Sequence, residues 1–234
     1  MNKIILGVAC LALTVNVSAQ TMRETIGKHF LIGAAVSTRN IYSQDPKVKS
    51  AIVNNFNAIV PENCMKGEAI HPEENRYSWD DADATVKYAE DNHMTVTGHC
   101  LVWHSQAPRW MFKDSEGKTV TREVLIDRLY HHITNVVGRY KGRIKGWDVV
   151  NEALSGADTD GDGKYDLQSA TRGTAPDDDI PNSFYWQDYL GDLDYVRTAV
   201  ASARKHFEEN GGNPEELKLF VNDYNLESYW DNNG

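Results

Sequence analysis

The sequence predicts an α/β fold of the (β/α)8-barrel kind, with about five β/α units present, and three observations predict it. Strand and helix signals alternate five times along the chain. The strand signals hold few alternating polar residues, so both faces of the sheet must be covered. Polar and aromatic residues cluster directly after each strand: Ser37-Thr38, Glu62-Asn63, His104-Ser105-Gln106, Asn151-Glu152 and Asp223-Tyr224-Asn225. A barrel displays its site at the carboxyl ends of several successive strands. A doubly wound sheet gathers its site at one switch point, commonly beside a Gly-rich phosphate loop, and Gly33-Ala34-Ala35 is no such loop.

Each element has its own justification. Phe30 to Val36 is an apolar run of strand length that ends in polar Ser37. Asp45-Pro46 opens a helix with a cap and an N1 proline, and Val48, Ile52, Val53 and Phe56 give it an apolar stripe. Ala58-Ile59-Val60 is the second strand, broken by Pro61. A helix over Asp80 to Asn92 follows, then a strand from Met94 to Gly98 continuing through Leu101-Val102-Trp103. Thr121 caps a long helix to Tyr140, with Leu125, Leu129, Ile133, Val136 and Val137 at helical spacing. Ile144 to Val150 is the fourth strand, Leu193 to Asn210 a helix ended by Gly211-Gly212, and Leu217 to Val221 the fifth strand. Ser155 to Ser183, rich in Asp, Gly and Pro, reads as the least ordered stretch. No internal repeat, linker or second domain is visible.

The balance of 24 Lys+Arg against 34 Asp+Glu gives a net charge of −10, which argues against nucleic acid or an anionic membrane surface as a partner. Residues 1–19 read as a secretory signal. Lys3 supplies the positive start, Ile4 to Val15 is apolar but too short to span a bilayer, and Val17-Ser18-Ala19 offers small residues for cleavage before Gln20. The expectation is an exported protein, secreted or periplasmic, with residues 20–234 as one domain. Three cysteines make no disulfide scaffold, and Cys64 and Cys100 read as two buried free thiols.

Three stretches carry chemistry. Trp147-Asp148-Val149-Val150-Asn151-Glu152 sets a carboxyl group at the end of a buried strand, where desolvation raises its pKa toward what a general acid needs. Gly98 to Gln106 delivers alternate side chains to one face, so His99, Leu101 and Trp103 share a side while Cys100 and Val102 pack outward. A metal site at His99 and His104 is disfavoured: they lie five apart on opposite faces, with no nearby carboxylate. Pro61-Glu62-Asn63-Cys64-Met65-Lys66 offers an acceptor, an amide and an ammonium group, the donors and acceptors that sugar hydroxyls require.

Together with Asn222-Asp223-Tyr224-Asn225, these stretches resemble the family 10 glycoside hydrolases, the endo-1,4-β-xylanases, in the family's order and over strands one to five of its barrel. The resemblance implies retaining hydrolysis of xylan, with two carboxyl groups about 5–5.5 Å apart flanking the glycosidic bond. By the same resemblance, Glu152 is the acid/base and Asn151 binds the sugar 2-hydroxyl. Glu62, Asn63 and Lys66 hold sugars on the non-reducing side, and His99 and Trp103 surround the sugar being cleaved, with Gln106 in the same motif. Tyr224 stacks on the leaving-group side, and Asp148 braces the polar network.

The departures matter as well. The family's nucleophile is a Glu after strand seven, and the strand-six Gln/His pair and late Trp residues are also absent here. Cys64 and Gly67 stand where many relatives carry larger or polar residues. The expectation is a C-terminally incomplete domain whose 234 residues alone do not hydrolyse xylan. The full-length protein is expected to be a monomer that acts on xylan or xylo-oligosaccharides and needs no cofactor. The alternatives are a non-catalytic xylan-binding remnant and another retaining barrel glycosidase, such as a cellulase. The His99–Gln106 motif and the Glu62, Asn63 and Lys66 set speak against the cellulase. Asp158, Asp160, Asp162 and Asp166 fall at positions one, three, five and nine of a calcium loop, but position twelve is Ser169 where a bidentate Glu belongs. An acidic surface loop is the favoured reading there, with structural calcium the alternative.

Overall fold

The computed structural model describes residues 20–175 and 183–224, so the expected signal over 1–19 and Asn225 lie outside the described residues. Five strands, β1 (Gly33–Val36), β2 (Ala58–Pro61), β3 (Thr95–Trp103), β4 (Gly146–Asn151) and β5 (Lys218–Asn222), form one sheet in chain order. Every neighbouring pair is parallel. A parallel sheet whose order equals its sequence order is an arc of a β/α barrel.

A short helix α1 (Met22–Thr25) precedes β1. Each later connection holds a four-residue helix and then a long one. These are α2 (Thr38–Ile41) and α3 (Pro46–Asn55), α4 (Gly67–Ile70) and α5 (Asp80–Asp91), α6 (Arg109–Phe112) and α7 (Arg122–Arg139), and α8 (Gln187–Leu190) and α9 (Asp192–Glu209). The long helices follow the sequence signals closely. Asp45 Oδ1 accepts the Lys47 amide at 2.8 Å with Pro46 at the first turn, and Thr121 Oγ1 accepts the Val124 amide. Along α7, Leu125, Leu129, Ile133 and Val136 are fully buried against the sheet, each contributing roughly 2 kcal/mol by removal from water.

The core continues through Ile59, Val96, Trp147 and Val149 of the sheet and Val86, Ala199, Ala203 and Phe207 of the helices. Gly98 is a spacing requirement: a Cβ there would stand 2.2 Å from the Trp147 ring. Cys64 and Cys100 are both buried free thiols, as expected, and burial pushes both pKa values up. No helix among the described residues is long and apolar enough to cross a membrane.

Two features differ from the sequence reading. The first strand begins at Gly33, and Phe30 and Leu31 are exposed. Asn57 explains this: its Oδ1 takes the Ile32 amide at 2.7 Å while its Nδ2 ties back to Gly27 and Phe30, so ladder pairing starts one residue later. The strict alternation in β3 also fails. A register shift between His99 and Val102 leaves Cys100, Leu101 and Val102 all buried, and Leu101 does not share the exposure of His99 and Trp103. The described part of the Asp- and Gly-rich stretch holds no helix or strand, in line with the sequence reading, and polar groups within and beside it tie it down. Leu154 and Leu167 form a bridge, Ser155 donates to the Asp166 carbonyl, and the Asp188 carboxylate gathers Ser169, Ala170 and Thr171.

Candidate active site

The C-terminal ends of β2 to β5 bring most of the expected residues together. Register pairs His99 with Asp148 and Trp103 with Asn151, so the third and fourth strands deliver their polar ends side by side. The Trp103 indole N–H donates to Glu152 Oε2 at 2.8 Å. Lys66 Nζ lies 4.7 Å from the Trp103 ring centroid and donates to Asn63 Oδ1 at 3.1 Å. A chain of contacts therefore runs from the loop after β2, across Trp103, to the carboxyl group after β4.

Glu152 has a left-handed backbone, with φ of 52°. That conformation costs a non-glycine residue about 1 kcal/mol or more and persists only where its surroundings enforce it. Here the Glu152 amide donates to the Asn222 carbonyl at 2.8 Å, tying the bend to β5. The side chain is half-buried. Burial pushes its pKa above the ordinary carboxyl value, the Trp103 N–H opposes this, and the Asp223 charge adds to the rise. Asn151 and Lys66 act in the lowering direction. The net direction is upward, which favours a protonated form able to donate to a leaving oxygen.

His99 Nδ1 lies 2.8 Å from Asp148 Oδ2. The carboxylate that sequence proximity did not reveal thus arrives from the neighbouring strand, and Asp148 does brace the network. In a neutral imidazole whose Nδ1–H donates to Asp148, Nε2 is an acceptor. His104 serves elsewhere: it is buried, stacks on Tyr185 with ring centroids 5.3 Å apart, and is pulled down to about 4 by burial.

Other expected residues make contacts of their own. Glu62 and Asn63 are exposed on the rim. Gln106, at φ of 49°, donates its side-chain amide to Glu68 Oε1 at 3.4 Å. Tyr224 is exposed beyond β5, its amide held by Asp223 Oδ1. The sequence reading gave no role to Asn222 or Asp223. Asn222 Nδ2 donates to Asn151 Oδ1, and Asp223 Oδ2 accepts the Leu154 amide at 2.8 Å. Two polar residues ending an apolar strand were the available signal.

The acidic loop gathers one oxygen from each of Asp158, Asp160 and Asp162 within 4.8 Å, all exposed. Asp166, the fourth expected ligand, instead accepts from the Thr159 amide and hydroxyl, and Ser169 donates to Asp188. Asp158 itself accepts the Gly161, Asp162 and Gly163 amides.

Fold and rim together define a class, the β/α-barrel glycoside hydrolases. The family model of glycosyl hydrolase family 10 matches residues 21–233, and the chain belongs to that family. Endo-1,4-beta-xylanase A of Xylanibacter ruminicola is 52% identical over 202 residues, covering 82% of this chain and 53% of the relative. A crystal structure of an endo-1,4-beta-xylanase from Caldicellulosiruptor owensensis superposes with a TM-score of 0.72 at 36% identity, over 91% of this chain and 56% of that one. A mutant structure in complex with xylotriose aligns with a TM-score of 0.68 at 32% identity, over 89% of this chain and 54% of that one. The chain spans about half the length of the relatives it matches.

Proposed function

We propose that the protein is a retaining endo-1,4-β-xylanase in which Glu152 is the general acid/base. The observation that carries the reading is the half-buried Glu152 carboxyl, raised in pKa by burial and held by the Trp103 N–H at the rim of a parallel sheet. Such a group protonates a leaving glycosidic oxygen and later takes a proton from the incoming water. Asn151 binds the 2-hydroxyl of the sugar being cleaved. Glu62, Asn63 and Lys66 hold the non-reducing side, His99 and Trp103 line the cleavage position with Gln106 beside them, and Tyr224 stacks on the leaving-group side. The xylotriose complex of a relative supports xylo-oligosaccharides as the ligand class.

The partner carboxylate is assigned to a seventh strand, which is not among the five described. On this reading the 234-residue chain alone binds xylo-oligosaccharides without cleaving them. A retaining enzyme without its nucleophile loses the covalent step and many powers of ten in rate. Residues 1–19 are assigned to export. The decisive experiment pairs calorimetric titration with xylotriose and a reducing-sugar assay on xylan, using the purified chain and Glu152→Ala. Binding without sugar release is expected. Release of sugar that Glu152→Ala abolishes refutes the division of labour, and binding of cellotriose in place of xylotriose refutes the substrate.

A further inference from the structure

We propose that Asn222 is a positioning residue, whose side-chain amide fixes which end of the Asn151 amide faces the Glu152 carboxyl group and any sugar beside it. The argument starts from Asn151, which is 5% exposed and cannot satisfy a misdirected amide with water. Its side chain acts on the Glu152 carboxyl in the direction that lowers that group's pKa, as a hydrogen-bond donor does. An ionised carboxylate only accepts, so Asn151 must present its NH2 group there. Its Oδ1 then points the other way, to Asn222, and accepts from Nδ2 of that residue.

The orientation of Asn222 is set in the same step. Turning its amide over would bring two oxygens face to face across the β4–β5 register pair Asn151–Asn222. The side chain is anchored by this one bond, because Asn222 Oδ1 is buried with no hydrogen-bond partner among the described residues. Its own main chain is fixed independently, since the Asn222 carbonyl takes the Glu152 amide at 2.8 Å. One residue on β5 therefore holds the bend at Glu152 through its backbone and aims Asn151 through its side chain. A donor at position 222 makes Asn151 a donor toward the cleft, and an acceptor there would make it an acceptor. For the sugar, the inference rests on the xylanase reading, in which Asn151 meets the 2-hydroxyl. For the carboxyl group it does not.

The test uses the full chain, labelled for NMR, with xylotriose as probe. In the unmodified protein, the Asn151 NH2 signals should shift with the Glu152 carboxyl titration. Signals of Asn222 that follow that midpoint while those of Asn151 do not would overturn the proposal. The near-isosteric, uncharged Asn222→Leu should raise the Glu152 midpoint by about half a unit and weaken xylotriose binding about tenfold, the scale of one hydrogen bond to a charged or polar partner. Asn151→Ala should do the same, and the double variant should be no worse than Asn151→Ala alone. Additive effects in the double variant overturn the proposal. If Asn222→Leu does not fold, the titration of the unmodified protein decides. Absence of xylotriose binding by the unmodified chain would defeat the xylanase reading, while the paired titration still decides the role of Asn222.

Discussion

Mild acid should destabilise this protein steeply, because three histidines are buried in neutral form. His71 and His132 are 1% and 0% exposed, with Nδ1 atoms 3.1 Å apart, and His104 is 8% exposed. Burial lowers His71 and His104 from 6.5 to about 4 and His132 to about 3. Neither the Glu74 carbonyl and carboxylate beside His71 nor the Glu152 backbone beside His104 offsets this. Unfolding returns each ring to its ordinary value, so the unfolded chain binds more protons between pH 6.5 and pH 4. The stabilisation is present in full above pH 6.5 and falls as pH drops through that window. At pH 5 each ring sits 1.5 units below its unfolded midpoint while remaining neutral when folded, a loss of about 2 kcal/mol each and about 6 kcal/mol together. Typical domains hold only about 5–15 kcal/mol. Urea unfolding followed by tryptophan fluorescence at pH 7, 6 and 5 measures the loss, with a slope near pH 5 of about 3–4 kcal/mol per pH unit expected from nearly three bound protons. The raised pKa of Glu152 acts with the opposite sign and offsets only part of it. A stability that changes by less than about 1 kcal/mol between pH 7 and pH 5 would refute the reasoning.

Other expectations follow from single contacts. Trp103→Phe removes the N–H donor to Glu152 Oε2 while keeping a ring under Lys66. It should raise the Glu152 midpoint further, read by carboxyl NMR, and an unchanged midpoint would deny that the indole stabilises the ionised form. Gly98→Ala forces a methyl into the buried Trp147 ring and should cost about 3 kcal/mol or abolish folding, as seen in urea midpoints. Asp188→Ala releases Ser169, Ala170 and Thr171 at once and should lower stability by about 1–3 kcal/mol. It should also increase protease cutting near residue 170. EDTA should leave the unfolding temperature unchanged, since Asp166 and Ser169 are engaged away from the acidic trio.

The long elements were legible because their causes are local. The stripe Leu125, Leu129, Ile133, Val136 fixes both the period and the buried face of α7, and Asp45-Pro46 and Thr121 mark helix starts through their own side-chain and backbone chemistry. The short helices were not legible. Four residues such as Gly67–Ile70 or Arg109–Phe112 hold barely one turn and no apolar period, and they owe their shape to tertiary bonds. The Trp110 N–H reaching the His71 carbonyl at 2.8 Å is one, and the Glu68 amide on the Gln106 carbonyl at 2.9 Å is another. The start of β1 was misplaced for a similar reason, since Asn57, twenty-five residues on, decides where pairing begins.

The site divides along the same line. Residue types and the faces of β4 pointed to Glu152 from sequence, because a carboxyl ending a buried strand is conspicuous wherever the strand goes. The partners that tune it come from other strands. Trp103 is forty-nine residues away, Asn222 seventy-one residues from Asn151, and Asp223 sixty-nine residues from Leu154. No local pattern encodes these pairings; the parallel register does. Beyond a register shift between Asp148 and Val150, β4 and β5 align Asn151 with Asn222, and the Glu152 amide donates to the carbonyl of that same Asn222. The carboxyl group is thus chosen by one segment of sequence, while its backbone bend, its neighbours' orientation and the direction of its pKa shift are imposed by the alignment of three.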